Sequence, residues 1–185
     1  SSTFGPMFAA FVQGPLVRVI PLGLVLLALQ RTIFVEVQVA GVIIQIMIAT
    51  AAAAGVVGGS ERGALVGFVF GVMFDLAEGT PLGSTAAAMT IAGVVGGLLA
   101  LIAADPHWWL AAIFTGLGAA AGALTIPVVR VFIGEPEPFQ DELFVVVPIV
   151  AVSAAVMSPL LVPLARWSLR LRRPEWTQPV KEPAE

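Results

Sequence analysis

Apolar residues run in long stretches along this chain, and polar residues gather in short breaks between them. Each stretch approaches the roughly 20 residues a helix needs to cross the hydrocarbon core of a bilayer. The breaks predict six helices, over residues 15–34, 37–57, 61–77, 81–103, 108–132 and 143–167. Pro15 suits a first helical turn, where its missing N–H costs nothing. Arg18 lies one turn in, close enough to snorkel back to the interface, and Gln30 and Arg31 mark the far end. In the second helix Gln38, Gly41, Gln45 and Ile48 share a face; an amide there reads as a helix–helix contact, with contact to a ligand the alternative for Gln45. Ser60 reads as the N-cap of the third, with Glu61 complementing the helix dipole. Gly118 and Gly122 give the fifth a small-xxx-small face. Pro127 is placed to kink the fifth helix, and Pro148, Pro159 and Pro163 to interrupt the sixth. Trp108 and Trp109, beside polar residues, suit the headgroup belt.

One stretch stands apart, residues 63–83, reading GALVGFVFGVMFDLAEGTPLG. Gly63, Gly67 and Gly71 recur every fourth residue, and the next step lands on Asp75. Such a series stays near one helix face, so a glycine groove leads to a single acid. Glycines at this spacing admit a second backbone, either another helix of this chain or a partner's. A carboxylate in an apolar run is costly unless paired. Two pairings are open to Asp75: the amides of the turn from Thr80 to Gly83, because a helix N-terminus accepts an anion, or a basic residue of a partner. Gly79 is placed to end one helix and Pro81 to begin the next.

Composition changes the solvent, not the pattern. The chain is 58% hydrophobic and 11% charged, with a mean hydropathy of +0.99. Soluble domains hold about 25% charged residues, so lipid is the solvent for most of this chain. The fold class expected is all-α, a polytopic membrane helix bundle of about six transmembrane helices. Its parts are an N-terminal segment (1–14), the transmembrane domain (15–167) and a basic, proline-rich tail (168–185). Arg166, Arg170, Arg172 and Arg173 form the strongest basic cluster, which places the C-terminus in the cytoplasm. Six spans return the N-terminus to the same side. The turn after Asp75 and the acidic 134–142 loop then fall outside, and the single residues Arg31 and Arg130 fall against the charge rule.

There is no cysteine and one histidine, His107. No metal-ligand spacing or phosphate loop appears, so no metal and no cofactor are expected. A net charge of −3 without a basic patch gives no reason to expect nucleic acid. No catalytic residues are assigned. Glu78 sits at a helix end, Asp105 and His107 are predicted at the opposite side from Asp75, and Ser84 and Thr85 have no other base nearby. A carrier would need several polar groups converging at mid-depth, whereas Asp75 is near one end. Interaction in the membrane is the remaining class.

The run Gly67-Phe68-x-x-Gly71-x-x-x-Asp75-Leu76-x-x-Gly79-x-x-Leu82-Gly83 resembles the signature of the bacterial rod shape-determining MreD family, a glycine–aspartate pattern on a central hairpin. Chain length, Gln30 near the end of the first helix and the basic tail agree with it. Val37-Gln38-Val39 departs from it, where the family is expected to carry a polar, Pro-Asp-like start. The resemblance implies a non-enzymatic subunit of the cell-elongation (Rod) complex in the bacterial cytoplasmic membrane. Its implied partners are the membrane helix of MreC and, directly or through MreC, RodA and a class B penicillin-binding protein, with membrane lipid around it. It also implies a fold like that of the substrate-binding S-components of energy-coupling-factor vitamin transporters, and such an S-component is the alternative function. The expected partner-facing residues are Gly63, Gly67, Gly71, Asp75, Gly79, Pro81 and Gly83.

Overall fold

The structure, a computed structural model, describes residues 14–34, 38–39, 42–43, 45–103, 107–134 and 143–169. Among these residues the chain forms six α-helices: α1 Leu16–Leu29, α2 Ile46–Gly58, α3 Ser60–Glu78, α4 Ser84–Ile102, α5 Trp108–Ile133 and α6 Leu143–Ser168. A π-helical turn, Gln30–Phe34, extends α1. The helices alternate in direction, so the starts of α1, α3 and α5 lie at one end with the finishes of α2, α4 and α6. Arg18 near the start of α1 confirms this pairing: it donates to the Trp167 carbonyl (3.2 Å) and lies 5.2 Å from the centre of that ring. At the other end Arg31 pairs with Glu78 at 3.3 Å.

Four stretches are long and apolar enough to cross a membrane: Leu16–Ile33, Ser84–Ile102, Trp108–Ile133 and Leu143–Ser168. α3, with 19 residues, is long enough in rise but carries Glu61, Arg62, Asp75 and Glu78. α2, with 13 residues, rises roughly 20 Å, short of the core of a bilayer. The outward faces are apolar: Phe132, Phe144, Leu101, Val156 and Trp108 are all largely exposed.

The second helix differs from its expected span. It begins at Ile46, and β1 (Gln38–Val39) pairs antiparallel with β2 (Val42–Ile43) before it. Gln38 lies in a strand and Gln45 just before α2, so the helix face expected of them with Ile48 does not form, and Gly41 lies outside the described residues. The cause is local: Val37, Val39, Val42, Ile43 and Ile44 are β-branched and stiff at χ1, which favours extended pairing. Three smaller expectations are also revised. Ser60 is the first helical residue of α3, and Gly59, with no side chain, occupies the cap. Pro81 does not open α4; it sits in the preceding turn, where its carbonyl accepts from the Ser84 amide at 3.1 Å. Pro148, Pro159 and Pro163 lie within an unbroken α6. The N-terminal segment up to residue 13, Glu36, Asp105, the acidic 135–142 loop and the tail from 170 onward lie outside the described residues.

The core is built from small residues around α4. Gly63, Gly67 and Gly71 of α3 face Gly93, Met89 and Ala86 of α4 in turn. One helix descends as the other climbs, backbone against backbone. On its other sides α4 meets α2, where Gly96 lies against the Ala52 carbonyl, and α5, where Gly118 and Gly122 lie against Ala92 and Ala88. In lipid there is no hydrophobic drive between helices, so such close van der Waals contact is what associates them. A Cβ at Gly67 would run into the Met89 carbonyl. Alanine is the better helix former by about 1 kcal/mol, so Gly67→Ala separates the two effects. It should destabilise the chain by about 1–3 kcal/mol in reversible SDS unfolding from mixed micelles, while Leu76→Ala on the exposed face stays within about 0.5 kcal/mol.

Candidate functional site

Asp75 lies one turn beyond Gly71 on the same face of α3 and is 1% exposed. Its Oδ1 accepts from the Thr80 hydroxyl at 2.7 Å and the Thr85 amide at 3.2 Å. Its Oδ2 accepts from the Gly83 amide at 2.9 Å and the Ala86 amide at 3.3 Å. All four partners donate, the pattern an ionised carboxylate satisfies. The first amides of a helix have no partner within it, and the cap residue of α4, Gly83, has no side chain to offer. Asp75 fills that role from the preceding helix. Of the two pairings open to it from sequence, the structure contains the local one.

The turn that makes this possible needs two glycines for their conformation. Gly79 (φ 67°) and Gly83 (φ 101°) lie in the left-handed region. A side chain at either would meet open space, so backbone freedom is what those positions require. Gly63, Gly67 and Gly71 serve the opposite need, contact with neighbouring backbone. The groove expected to admit a helix is occupied by this chain's own α4, so these three glycines present no open face to a partner. Glu78, at the end of α3, joins Arg31 across the mouth of the same end.

A second cap crosses between helices nearby. The cap residue of α2, Gln45, makes no capping bond; the Gln30 side chain of the π-turn supplies it, its Oε1 accepting from the Met47 amide at 3.3 Å. Between these two caps lies a cavity of about 260 Å³. Its polar wall is Gln30, Gln45, Thr80, Ser84, Thr85 and Arg130; its apolar wall is Phe74, Pro81, Met89, Ile126 and Ile133. Sequence reasoning missed it. Gln45 reads there as a helix contact and Arg130 as a helix end, and nothing in a linear pattern shows five segments meeting. The usable signal was the set of polar residues near one predicted end: Gln30, Thr80, Ser84, Thr85 and Arg130.

No family model matches this chain, and no curated protein or solved structure does either. A functional reading therefore rests on the residues and their geometry.

Asp75→Leu leaves the Gly83, Thr85 and Ala86 amides without their acceptor. Of these only Ala86 is buried, Gly83 and Thr85 being more open; an unsatisfied buried donor costs about 1–3 kcal/mol, so the loss in SDS unfolding should be about 2 kcal/mol or more. Thr80→Val removes a single bond to a charged group and should cost about 1.5–3 kcal/mol. In the Asp75→Leu background it should cost nearly nothing, because the acceptor is already gone. Equal cost in both backgrounds would show that Thr80 acts elsewhere.

Proposed function

We propose that this chain is a non-enzymatic subunit of the bacterial cell-elongation (Rod) complex, of the MreD kind, that scaffolds MreC and the peptidoglycan synthases RodA and its class B penicillin-binding partner. The observation that carries the reading is how the glycine–aspartate run is used. Gly63, Gly67, Gly71, Asp75, Gly79 and Gly83 all serve one closed hairpin of α3 and α4. Rigidity of that kind is what an assembly platform requires, and the buried carboxylate is committed to four donors.

The docking surface is set by what the hairpin leaves outside. Phe68 and Leu76 on α3 and Leu82 in the turn are exposed, at 55%, 67% and 72%. The MreC membrane helix lies along this outer face of α3 in our reading, not in the glycine groove. Phe68→Ala with Leu76→Ala should lower recovery of co-expressed MreC several-fold while the thermal midpoint of the chain alone is unchanged. Undiminished recovery at equal expression would remove this face from the interface.

In the orientation we propose, six spans cross the cytoplasmic membrane with both termini in the cytoplasm. Arg18, Arg62 and Arg166 share one end of the bundle, the end from which the basic tail continues in sequence, and the positive-inside rule makes that end cytoplasmic. Cysteines introduced at Glu137 and Val180 should react with an impermeant maleimide from opposite sides of the membrane. Labelling of both from one side would exclude an odd number of crossings between them.

The cavity is the one observation that favours the alternative, an S-component of a vitamin transporter. Its volume falls below the roughly 300–1,000 Å³ of sites for ligands of that size, and among the described residues Phe74 is the only aromatic ring on its wall. Both features weigh toward the scaffold.

A further inference from the structure

We propose that the cavity between the ends of α1, α3, α4 and α5 binds a small uncharged molecule that carries a carboxamide on an apolar body. The elongation role makes no use of this cavity, so the two readings stand or fall separately.

The side chains with open hydrogen-bonding capacity set the ligand class. Gln30 lines the cavity and is 7% exposed. Its Oε1 accepts from the Met47 amide, and because an NH2 group cannot accept, that bond fixes which way the side-chain amide faces. The Gln30 nitrogen makes no hydrogen bond among the described residues. Among those residues the polar side-chain atom that is both enclosed and unpartnered is the Thr115 hydroxyl, so the Gln30 nitrogen reaches open space. The space that Gln30 lines is this cavity. A donor on a buried side chain is thus held in place at a void, and it calls for an acceptor.

Gln45 and Ser84 line the same cavity. The half-buried Gln45 side chain makes neither a capping bond nor any other hydrogen bond among the described residues, and the Ser84 hydroxyl makes none either. Each of these two groups can both donate and accept. The polar wall therefore combines one fixed donor with groups that act either way. A carboxamide matches both: its carbonyl accepts from Gln30, and its NH2 donates to Gln45 or Ser84. A carboxylate or an ester has no N–H for them. Arg130 also lines the cavity, but its guanidinium already interacts within the chain, and Asp75, behind Thr80 and Thr85, is committed to four donors. The ligand is assigned to neither. An uncharged head is also the cheaper one to draw out of water.

The rest of the wall takes the ligand's body. Phe74, Met89 and Ile126 come from α3, α4 and α5. A ring suits Phe74 by stacking and Met89 by its sulfur. The volume, about 260 Å³, falls short of a drug-sized site and suits one ring with its head group.

The test is thermal unfolding of the full chain in dodecyl maltoside micelles, which contain no carbonyl of their own. Benzamide at roughly 10 mM should raise the midpoint by about 3 °C or more. Benzoate, methyl benzoate and ethylbenzene share its shape but lack the N–H, and each should shift the midpoint by less than about half as much. Ser84→Leu, which places a bulky side chain in the cavity, should abolish the benzamide shift. Gln45→Leu should at least halve it, because the substitution removes an amide that bonds nothing else in the described chain. Leu101→Ala, exposed at the opposite end of α4, should preserve it. If Ser84→Leu does not fold, Gln45→Leu decides alone. The proposal is overturned if benzamide has no effect, or if its shift survives in full in the variants. Equal stabilisation by benzoate overturns the uncharged assignment, and equal stabilisation by methyl benzoate or ethylbenzene overturns the carboxamide.

Discussion

The two oxygens of Asp75 accept four hydrogen bonds, and three of the donors are the backbone amides at the start of α4. Everything at this end of the bundle depends on that arrangement. A helix beginning in or near lipid has no water to satisfy its first amides. Gly83 cannot cap α4 itself, because the turn needs it at positive φ. The acceptor must therefore come from elsewhere, and α3 delivers it one turn past its last groove glycine. The carboxylate is tolerated in an apolar setting because four donors face it, and the donors are tolerated because the carboxylate is there.

The hairpin closed by Asp75 fixes the register of the glycine seam below it. With Asp75 bonded to Ala86, Gly71 must face Ala86, Gly67 must face Met89 and Gly63 must face Gly93. Each contact is backbone against backbone, so a shift by one residue would push side chains into carbonyls. An electrostatic anchor at one end and steric fit along the length thus specify the same pairing. The consequence is that α4 becomes the centre of the bundle. It is the helix with small residues on several sides, and α2, α3 and α5 all press on it.

Much of this was readable in the sequence, for physical reasons that differ by element. The helix count was legible because each polar break interrupts an apolar run. Asp75 was legible because an acid in such a run must be paired, and the turn from Thr80 to Gly83 offered donors, though the Thr85 and Ala86 amides beyond it were not foreseen. The occupant of the glycine groove was not legible, since the same four-residue spacing serves a helix of the same chain or of another. The start of α2 was misplaced because hydropathy does not separate a β-branched extended segment from a helix, and Val39, Val42 and Ile43 are as apolar as the helix from Ile46 onward. Gln30 as a cap for Met47 was hidden by their separation of 17 positions along the chain. The cavity was hidden further still, since its walls come from five segments.

Filling the groove from within changes where a partner would meet this chain. A groove of glycines left open would invite any helix with a small face. Once α4 fills it, the hairpin becomes a rigid unit whose outer surface is set by large side chains, Phe68, Leu76 and Leu82. In the function proposed for the chain, recognition would rest on the shapes of those side chains, not on close backbone approach. Such a surface depends on the hairpin being rigid, because a side-chain pattern spread over a helix and the turn that follows it keeps its shape only if the two helices of the hairpin cannot slide. The Asp75 bonds prevent that sliding. The carboxylate touches no partner in this arrangement, yet any contact made by the outer face is conditional on it.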